Sequence, residues 1–387
     1  MDFPADPIAA VTHPDPYPFY ADLVARKPFY RDDALRLWVA SGAEAVAAVL
    51  SHDLCRVRPP DEPVPKALLG SPAGEVFRHL MRMNDGSGHC PFKAAISAAM
   101  GDLHPDQVAR QSQERARALA TEIGLGPDPG SLGDFAFRLP VYVTASLLGV
   151  PPGDLGQVAD WTHRFVAAVA PGCAPEPLER GKAAASSLLA FFRSLLLLGT
   201  SAGLLAAFAR EARRAGVEDE NAIAANGIGL LFQSHDATAG LIGNTLLALA
   251  THGEAREQVA ADPEGLGAAV LETLRYDPPV QNTRRFLAGD GLVLGQELAR
   301  GDGILVVLAA ANRDPALHSN PDQFDLLRKD RRTLTFGAGI HQCPGEELAR
   351  TIAQAGIEQA LLSRLDLDRF LAARTYRPSL NGRLPFA

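Results

Sequence analysis

The sequence predicts a mainly α-helical protein with a minor β component, folded as one domain over residues 1–387. Apolar residues recur at helical spacing through most of the chain. Residues typical of strands occur only in short runs, which glycine and aspartate divide. The length alone would allow two or three domains, but the sequence contains neither a low-complexity linker nor a repeat of fixed period that would separate them.

The successive elements of the N-terminal half follow from helical spacing and from proline and glycine boundaries. A strand is expected at 37–39, where Leu, Trp and Val follow one another. Residues 56–74 are rich in proline and glycine and are expected to form a long loop, of a kind that often serves as a functional lid. The predicted helices of this half are 17–25, 43–50, 91–100, 106–124 and 135–149.

In the C-terminal half, helices within 151–216 precede the longest helical run, 221–251. That run is apolar on most sides, so we expect it to pass through the middle of the protein. A helix over 265–276 is stopped by the sequence Asp-Pro-Pro, and a loop-rich stretch precedes a last helix over 345–362, after which strand signals return. The expected strands between these helices are 284–287, 292–294 and 304–308.

The composition is that of a globular protein, with 47% hydrophobic and 21% charged residues. A net charge of −8, from 37 basic and 45 acidic residues, argues against a nucleic-acid or anionic-membrane binder. The N-terminus lacks the pattern of a secretory signal, and the most apolar stretch, 194–208, is shorter than the ~20 residues that a bilayer requires. We therefore expect a cytoplasmic protein with no nucleic-acid partner and no membrane association.

The cysteines are scattered and form no CxxC pair, which argues against a disulfide-stapled fold and against a zinc finger. Cys343 lies in the segment FGAGIHQCPG, whose glycines indicate an unusual backbone. We expect it at a helix N-terminus, with Pro344 as the first helical residue and N–H donors from Gly345 and Glu346. Such a sulfur has a low pKa and could be a nucleophile or a soft metal ligand, although an isolated cysteine is more commonly a core residue. The cysteines expected to be ordinary are Cys55, Cys90 and Cys173.

Eight positions around Cys343 match the pattern FGxGxHxCxGxxLAR: Phe336, Gly337, Gly339, His341, Cys343, Gly345, Leu348 and Ala349. On these residues the chain resembles the soluble bacterial cytochrome P450 family, and the resemblance spans nearly the whole chain. It implies the family's fold, with the long central helix over a heme b and small β-sheets. It also implies that Cys343 is the axial thiolate ligand of the heme iron, which favours O–O cleavage.

A further motif supports the resemblance. Glu272 and Arg275 match the family's ExxR and share a helix face. Alone, they would be typical of a solvent-exposed pair worth under ~1 kcal/mol. The resemblance implies instead a buried pair that stabilises the core on the heme side, with Arg328 as a third member. Residues 15–20, 37–38 and 312–315 also match stretches that are common in the family.

The resemblance also assigns the groups that meet the heme propionates, which need cations or hydrogen-bond donors. His89 and Lys93, four residues apart, match the family's HxxxR with lysine in place of arginine, which keeps the charge but loses the bidentate geometry. Arg285 matches the arginine that reaches a propionate from a strand, with Arg284 as its neighbouring competitor. For each residue alone, a surface role is the alternative. The remaining expected cofactor-binding residues are Phe336, Gly337, His341 and Gly345.

The middle of the long helix departs from the family pattern, in which an acid and a threonine deliver protons during dioxygen activation. Asp236 holds the acid position, but Ala237 holds the threonine position and cannot donate a hydrogen bond. Thr238 lies about 100° further around the helix and is not expected to replace it directly. Its hydroxyl could instead bond the carbonyl four residues back. His235 is a candidate proton carrier, with a structural or pocket-rim role as the alternative.

Three explanations of Ala237 remain open. A substrate hydroxyl or an ordered water could complete the proton relay. Gln233 or Ser234, which replace the family's usual small residues, could supply polar groups. Peroxide could be the oxidant, or the reaction could differ from hydroxylation. The expected substrate contacts are Gln233, Ser234, Ala237, Val280 and Asn282.

The resemblance implies a heme-thiolate monooxygenase that oxidises a small organic molecule in bacterial specialised metabolism. Electrons would come from NAD(P)H through a ferredoxin reductase and a ferredoxin, docked near Lys93 and Arg350. A non-catalytic heme-binding relative is the remaining alternative, and Ala237 is its only support.

Overall fold

The computed structural model describes residues 3–198, 203–262 and 265–386, and it confirms the mainly α-helical fold with a small β component. The helices are, in chain order, α1 Tyr17–Arg26, α2 Ala43–Leu50, α3 Pro72–His79, α4 Cys90–Gly101, α5 Pro105–Ile123, α6 Leu132–Leu148, α7 Leu155–Val169, α8 Pro175–Leu198, α9 Leu204–Arg214, α10 Glu220–Thr251, α11 Gly253–Ala261, α12 Gly265–Tyr276, α13 Leu308–Ala311, α14 Glu346–Leu362 and α15 Leu367–Ala373.

The strands form two small sheets. One sheet has the order β1-β2-β7-β4-β3, in which β2 and β7 pair in parallel and the other neighbours pair antiparallel. The other is the antiparallel pair β5–β6. The strands are β1 Phe29–Asp32, β2 Leu37–Ala40, β3 Cys55–Arg56, β4 Thr283–Leu287, β5 Gly291–Val293, β6 Gln296–Leu298 and β7 Gly303–Val306.

The structure corrects three of the predicted elements. The loop expected over 56–74 ends earlier, because Ser71 caps α3 by accepting a hydrogen bond from the Gly74 amide at 3.2 Å. The predicted last helix is followed by α15, whose start Asp366 caps in the same way. The residues near the C-terminus that the sequence predicts as strand form only an isolated bridge, between Val280 and Gly382, in the described chain. Prolines lie close to both residues of this bridge, and a proline has no N–H to donate to a β-ladder.

The chain divides into two compact units. Unit 1 comprises Met1–Pro60, Ala116–Ala136 and Asp236–Ala387, and it contains both sheets. Unit 2 comprises Asp61–Arg115 and Phe137–His235 and is helical. The single domain over residues 1–387 stays a prediction.

The larger sheet of unit 1 is covered on both faces. Ile304 and Val306 alternate along β7 with Leu305, so they contact the core under α2, while Leu305 packs toward α1. At the edge of this unit, Arg383 donates to Asp277 at 2.9 Å, and Asp277 also accepts from the Tyr17 hydroxyl at 2.5 Å. These bonds join α1, the end of α12 and the C-terminal segment.

Unit 2 is a set of packed helices. At Gly181 on α8, a Cβ atom would lie 2.1 Å from the Ala168 Cβ, so only glycine allows α7 and α8 to approach this closely. In the described chain, α8 is the one helix that is long and apolar enough to cross a membrane, with a mean hydropathy of 1.4 over 18 residues, of which 39% are buried. Core helices of soluble proteins satisfy the same criterion, and the buried residues of α8 include Leu188 and Phe192.

The long helix predicted over 221–251 is confirmed as α10, and most of its residues are buried. Its first half, to His235, belongs to unit 2, and its second half, from Asp236, belongs to unit 1. The residues that depart from the family pattern therefore lie at the point where the helix passes from one unit to the other.

Candidate active site

The segment before α14 forms a tight loop that presents Cys343. Gly337 and Gly339 have φ values of +74° and +69°, a conformation that favours glycine. A Cβ on Gly339 would also lie 3.1 Å from the carbonyl oxygen of Leu50. The loop closes through the Cys343 amide, which donates to the Phe336 carbonyl at 2.8 Å. The backbone therefore fixes the position of the cysteine.

The Cys343 side chain is exposed, and its Sγ accepts a hydrogen bond from the Gly345 amide at 3.4 Å. An N–H donor of this kind stabilises a thiolate. The prediction that Pro344 begins the helix is wrong, because α14 begins at Glu346 with Gly345 as its N-cap. Cys343 thus lies two residues before the cap, where the turn lets the Gly345 amide reach the sulfur.

A buried ionic cluster supports the segment that leads to this loop. Glu272 and Arg275 on α12 are both 0% exposed and pair at 2.7 Å, and Arg328 donates to the same Glu272 oxygen at 3.1 Å. Arg275 also donates to the carbonyls of Pro321 and Gln323 at 2.7 and 2.8 Å. The expected three-residue cluster is confirmed, and the solvent-exposed pair is excluded.

Two candidate cations lie side by side on β4. Arg285 is 6% exposed and shares a face of the strand with Leu287, whereas the half-buried Arg284 faces the other side. Burial raises the pKa of the neighbouring Cys55 thiol to about 11, although the Arg285 charge acts in the opposite direction. Arg285 is therefore the buried charge of the two. His341, the last candidate in unit 1, is half-buried at the end of the short 3₁₀ turn Gly339–His341.

The two candidates in unit 2 lie at the start of α4. His89 is the N-cap of this helix and is 3% exposed. The amide of Lys93 donates to the His89 carbonyl at 2.9 Å, so the half-buried Lys93 side chain lies one turn further on. Histidine and lysine are thus on adjacent turns, as the sequence predicts.

At the middle of α10, the polar side chains of unit 2 bond to the helix itself. Gln233 donates its side-chain amide to the Gly229 carbonyl at 2.8 Å. Ser234 donates to the Leu231 carbonyl at 3.0 Å and accepts from Thr144 on α6 at 3.4 Å. In unit 1, Asp236 and Ala237 are half-buried and Thr238 is buried.

His235 is 2% exposed and makes the contacts of a packed residue. Its ring stacks on Phe137 with the centroids 5.2 Å apart, and its Nε2 lies 3.3 Å from Nδ1 of His163. Sequence reasoning did not single out His163. The two histidines are 72 residues apart, and only the packing of α7 on α10 reveals the pair.

The segment after α12 is tied to the C-terminal residues. Asn282 is buried and donates its side-chain amide to the Leu380 carbonyl at 2.9 Å. Val280 bridges to Gly382, and the intervening Gln281 amide donates to the Asn381 carbonyl at 2.8 Å. Val280 and Asn282 are therefore held by a segment that sequence reasoning did not connect with them.

The chemistry of these donors fits a heme. Over the described ranges, no three His, Cys, Asp or Glu side chains come together in a group that could hold a metal ion. A metal bound by the Cys343 sulfur would need a cofactor that brings its remaining ligands, as heme does. The buried Arg285 guanidinium suits a propionate carboxylate. The donor set therefore fits the cofactor that the resemblance implies.

Comparison with known proteins identifies the family. The cytochrome P450 family model matches residues 201–368. The vitamin D(3) 25-hydroxylase of Pseudonocardia autotrophica is 30% identical over 369 residues, which cover 91% of this chain and 87% of that protein. The biotin biosynthesis cytochrome P450 of Bacillus subtilis strain 168 is 28% identical over 375 residues, which cover 95% and 94% of the two chains.

A solved structure agrees in fold. The crystal structure of P450BioI in complex with hexadec-9Z-enoic acid ligated acyl carrier protein has a TM-score of 0.81 and 27% sequence identity, and the match covers 95% of this chain and 96% of that chain. The chain belongs to the cytochrome P450 family. It is a bacterial P450 monooxygenase with heme b as its cofactor.

Proposed function

We propose that Cys343 is the axial ligand of the heme and that its sulfur is held as a thiolate by the Gly345 amide. The hydrogen bond from Gly345 to Sγ is the observation that carries the proposal. Heme bound through a thiolate supplies the activation of dioxygen. The residues that we assign to the cofactor are His89, Lys93, Arg285, Phe336, Gly337, His341, Cys343 and Gly345.

The propionates are the part of the cofactor that needs charged partners. The burial of Arg285 and His89 supports their assignment, because a buried cation or donor is most stable when an anion meets it. Lys93 contributes a single charge where arginine would make a bidentate contact. His341 is half-buried, like Lys93.

The substrate is a small organic molecule of bacterial specialised metabolism, and it contacts Gln233, Ser234, Ala237, Val280 and Asn282. The side-chain amides of Gln233 and Asn282 each donate to a backbone carbonyl, so each presents its oxygen as an acceptor. An acceptor favours a substrate that carries a hydroxyl or an N–H group.

Asp236 is the residue that moves protons on α10. Because Ala237 has no hydroxyl, the substrate hydroxyl or an ordered water completes the relay. The buried Thr238 lies about 100° around the helix from Ala237 and does not take its place in the relay. In this arrangement a substrate that lacks the hydroxyl binds, but less product forms per NADPH consumed, which is poor coupling.

Electrons reach the enzyme from NAD(P)H through a ferredoxin reductase and a ferredoxin in the cytoplasm. The Arg350 guanidinium lies 3.9 Å from the Glu346 carboxylate and is partly exposed, so its charge is only weakly compensated. Arg350 supplies positive charge that attracts an acidic ferredoxin.

The test uses one panel of substrates with two oxidant systems, dioxygen with a ferredoxin and reductase, and hydrogen peroxide. Binding is followed by the shift of the heme absorption band, and product per NADPH is then measured with a surrogate ferredoxin and reductase. We expect the tightest coupling with a hydroxyl-bearing substrate and weaker coupling with its deoxy analogue. Equal product per NADPH for the hydroxyl-bearing substrate and its deoxy analogue would contradict substrate-assisted proton delivery.

A second candidate is a peroxide-using enzyme, which Ala237 favours because peroxide brings its own protons. Higher product yield with peroxide than with the ferredoxin system would establish it. The Ala237→Thr variant sharpens the comparison, because a restored hydroxyl should raise coupling with the deoxy analogue and leave peroxide turnover unchanged. A heme-binding protein without turnover in either system would support the non-catalytic alternative.

A further inference from the structure

The two histidines of unit 2 connect a buried site with the surface. His235 on α10 is 2% exposed, whereas His163 on α7 is exposed. Nε2 of His235 lies 3.3 Å from Nδ1 of His163, and the ring centroids are 5.3 Å apart. The pair therefore spans from solvent to the buried side of α10 through a single nitrogen-to-nitrogen contact.

The surroundings hold the His235 ring in this orientation. Phe137 on α6 stacks on the ring with an interplanar angle of 28°. On α7, the charged neighbours Asp160 and Arg164 pair with each other at 3.0 Å. From α7, the imidazole of His163 contacts the His235 ring.

We propose that His163 and His235 form a proton relay from solvent to the turn of α10 that carries Asp236 and Ala237. The proposal rests on the proposed function, in which Ala237 leaves the usual relay without its hydroxyl. An imidazole can accept a proton at one nitrogen and release another from the second nitrogen.

In the neutral pair, one proton moves inward by three transfers. A hydronium ion protonates Nε2 of His163 and becomes water, and the Nδ1 proton of His163 passes to Nε2 of His235. His235 then releases its Nδ1 proton to the Asp236 carboxylate, one residue further along the helix, or to a water molecule beside it. Both rings end neutral, and one proton has moved inward.

The decisive comparison is between two replacements of His163. His163→Gln keeps a side chain that can hydrogen-bond to His235 but cannot relay a proton, whereas His163→Glu supplies a group that can. We expect at least about a tenfold loss of coupled product formation in His163→Gln, with more hydrogen peroxide released and a larger solvent isotope effect. His163→Glu should recover part of the loss.

A serial relay also predicts that the defects do not add. The double variant His163→Gln/His235→Gln should be no more impaired than the worse of the two single variants. Substrate binding, measured by the shift of the heme band, should stay within about twofold of wild type in His163→Gln, because the exposed His163 is not among the expected substrate contacts. Additive losses, or weaker binding that accounts for the whole loss, would indicate a structural role and overturn the relay.

A measurement independent of turnover tests the pair itself. The protein is labelled with ¹⁵N-histidine and held in the diamagnetic reduced carbon monoxide state for NMR. A ¹⁵N–¹⁵N scalar coupling across the N–H···N bond should link His163 to His235 and vanish in His163→Gln. Absence of this scalar coupling, or a wild-type yield of product per NADPH in His163→Gln, would overturn the relay. A wild-type enzyme that uses only peroxide would contradict the proposed function instead, with the ¹⁵N coupling still present.

Discussion

The two units of the molecule hold their polar groups in different ways. In unit 1, charges are buried and paired: Glu272 and Arg275 are fully buried, and Arg383 bonds to Asp277 with little exposure of either side chain. In unit 2, a neutral group serves as a buried anchor: the side-chain amide of Asn226 bonds to the backbone on either side of Leu80. Ion pairs such as Lys182–Glu179 lie at its surface.

This difference matches what each unit contributes. The buried charges of unit 1 hold the chain that leads to the Cys343 loop, because a buried ion pair tolerates little displacement before its charges become uncompensated. The neutral hydrogen bonds of unit 2 can be remade without leaving a charge in the interior. The two units therefore hold their buried polar groups by different chemistry.

The largest effect should come from removing one partner of the buried cluster. Glu272→Ala leaves Arg275 and Arg328 without their shared carboxylate, so we expect a loss of about 3–5 kcal/mol in the free energy of unfolding. The matched control in unit 2 is Glu179→Ala, which breaks the surface pair with Lys182 and should cost less than about 1 kcal/mol. Urea unfolding of both variants checks this, and similar losses in the two would remove the contrast between the units.

The neutral anchor of unit 2 should have an intermediate effect. Asn226→Ala leaves the Met81 amide and the His79 carbonyl without the bonds that they make at 2.8 Å, which should cost about 1–3 kcal/mol. Hydrogen exchange at the Met81 amide should accelerate. Asn84→Ala is the control, because its amide bonds carbonyls nearer the surface. An unchanged Met81 exchange rate in Asn226→Ala would show that the Asn226 hydrogen bonds do not stabilise this segment.

Removal of the cap of α3 should cost less. The Ser71 hydroxyl accepts from the Gly74 amide, so Ser71→Ala should destabilise the helix by about 1 kcal/mol, while Ser71→Asp retains a capping oxygen. Faster hydrogen exchange in α3 for the alanine variant alone is the expected result. Equal exchange in both variants would mean that Pro72 and packing define the start of the helix without the cap.

The smallest effect is a difference in pH dependence. Burial, and then the Arg313 charge, lowers the pKa of His252, and burial with the Arg275 charge lowers the pKa of His318. The unfolded chain therefore takes up protons first as the pH falls below about 6.5, and unit 1 loses stability in that range. His252→Phe, which can still stack on Phe324, should flatten this part of the stability curve.

In unit 2, the corresponding loss should come at lower pH. Burial acts to raise the pKa of Glu75, but the hydrogen bonds from Arg78 and His79 outweigh it and lower the pKa overall. The stability that this carboxylate contributes is present above its ordinary pKa of about 4.3 and is lost as the pH falls through its lowered folded value. Hydrogen exchange followed from pH ~7 to ~5 should show unit 1 weakening first, and the reverse order would contradict the assignment.

Local signals account for what the sequence could predict. The bounds of α2 and α12 agree with the prediction because apolar spacing defines both helices, with Gly42 before α2 and Pro278 shortly after α12. The glycines of the sequence predict the Cys343 loop correctly. The first residue of α14 is predicted too early, at Pro344 instead of Glu346, because proline is common at the first position of a helix.

Long-range packing accounts for what it could not predict. The His163–His235 pair joins residues 72 positions apart, and Arg383 reaches Asp277 from 106 positions away. Such contacts leave no periodic signal in one sequence, so neither His163 nor Arg383 was identified. The polar residues at 233 and 234 could be identified as unusual, but their bonds to their own helix required the structure.

The most direct test of the account is the absorption spectrum of the reduced protein with carbon monoxide, recorded for wild type, Cys343→Ala and Cys90→Ala. Cys90 is the matched control, because it is the other exposed cysteine of the described chain. We expect the band typical of thiolate-ligated heme in wild type and in Cys90→Ala, and its loss in Cys343→Ala. Retention of that band in Cys343→Ala would contradict the assignment of Cys343 as the axial ligand.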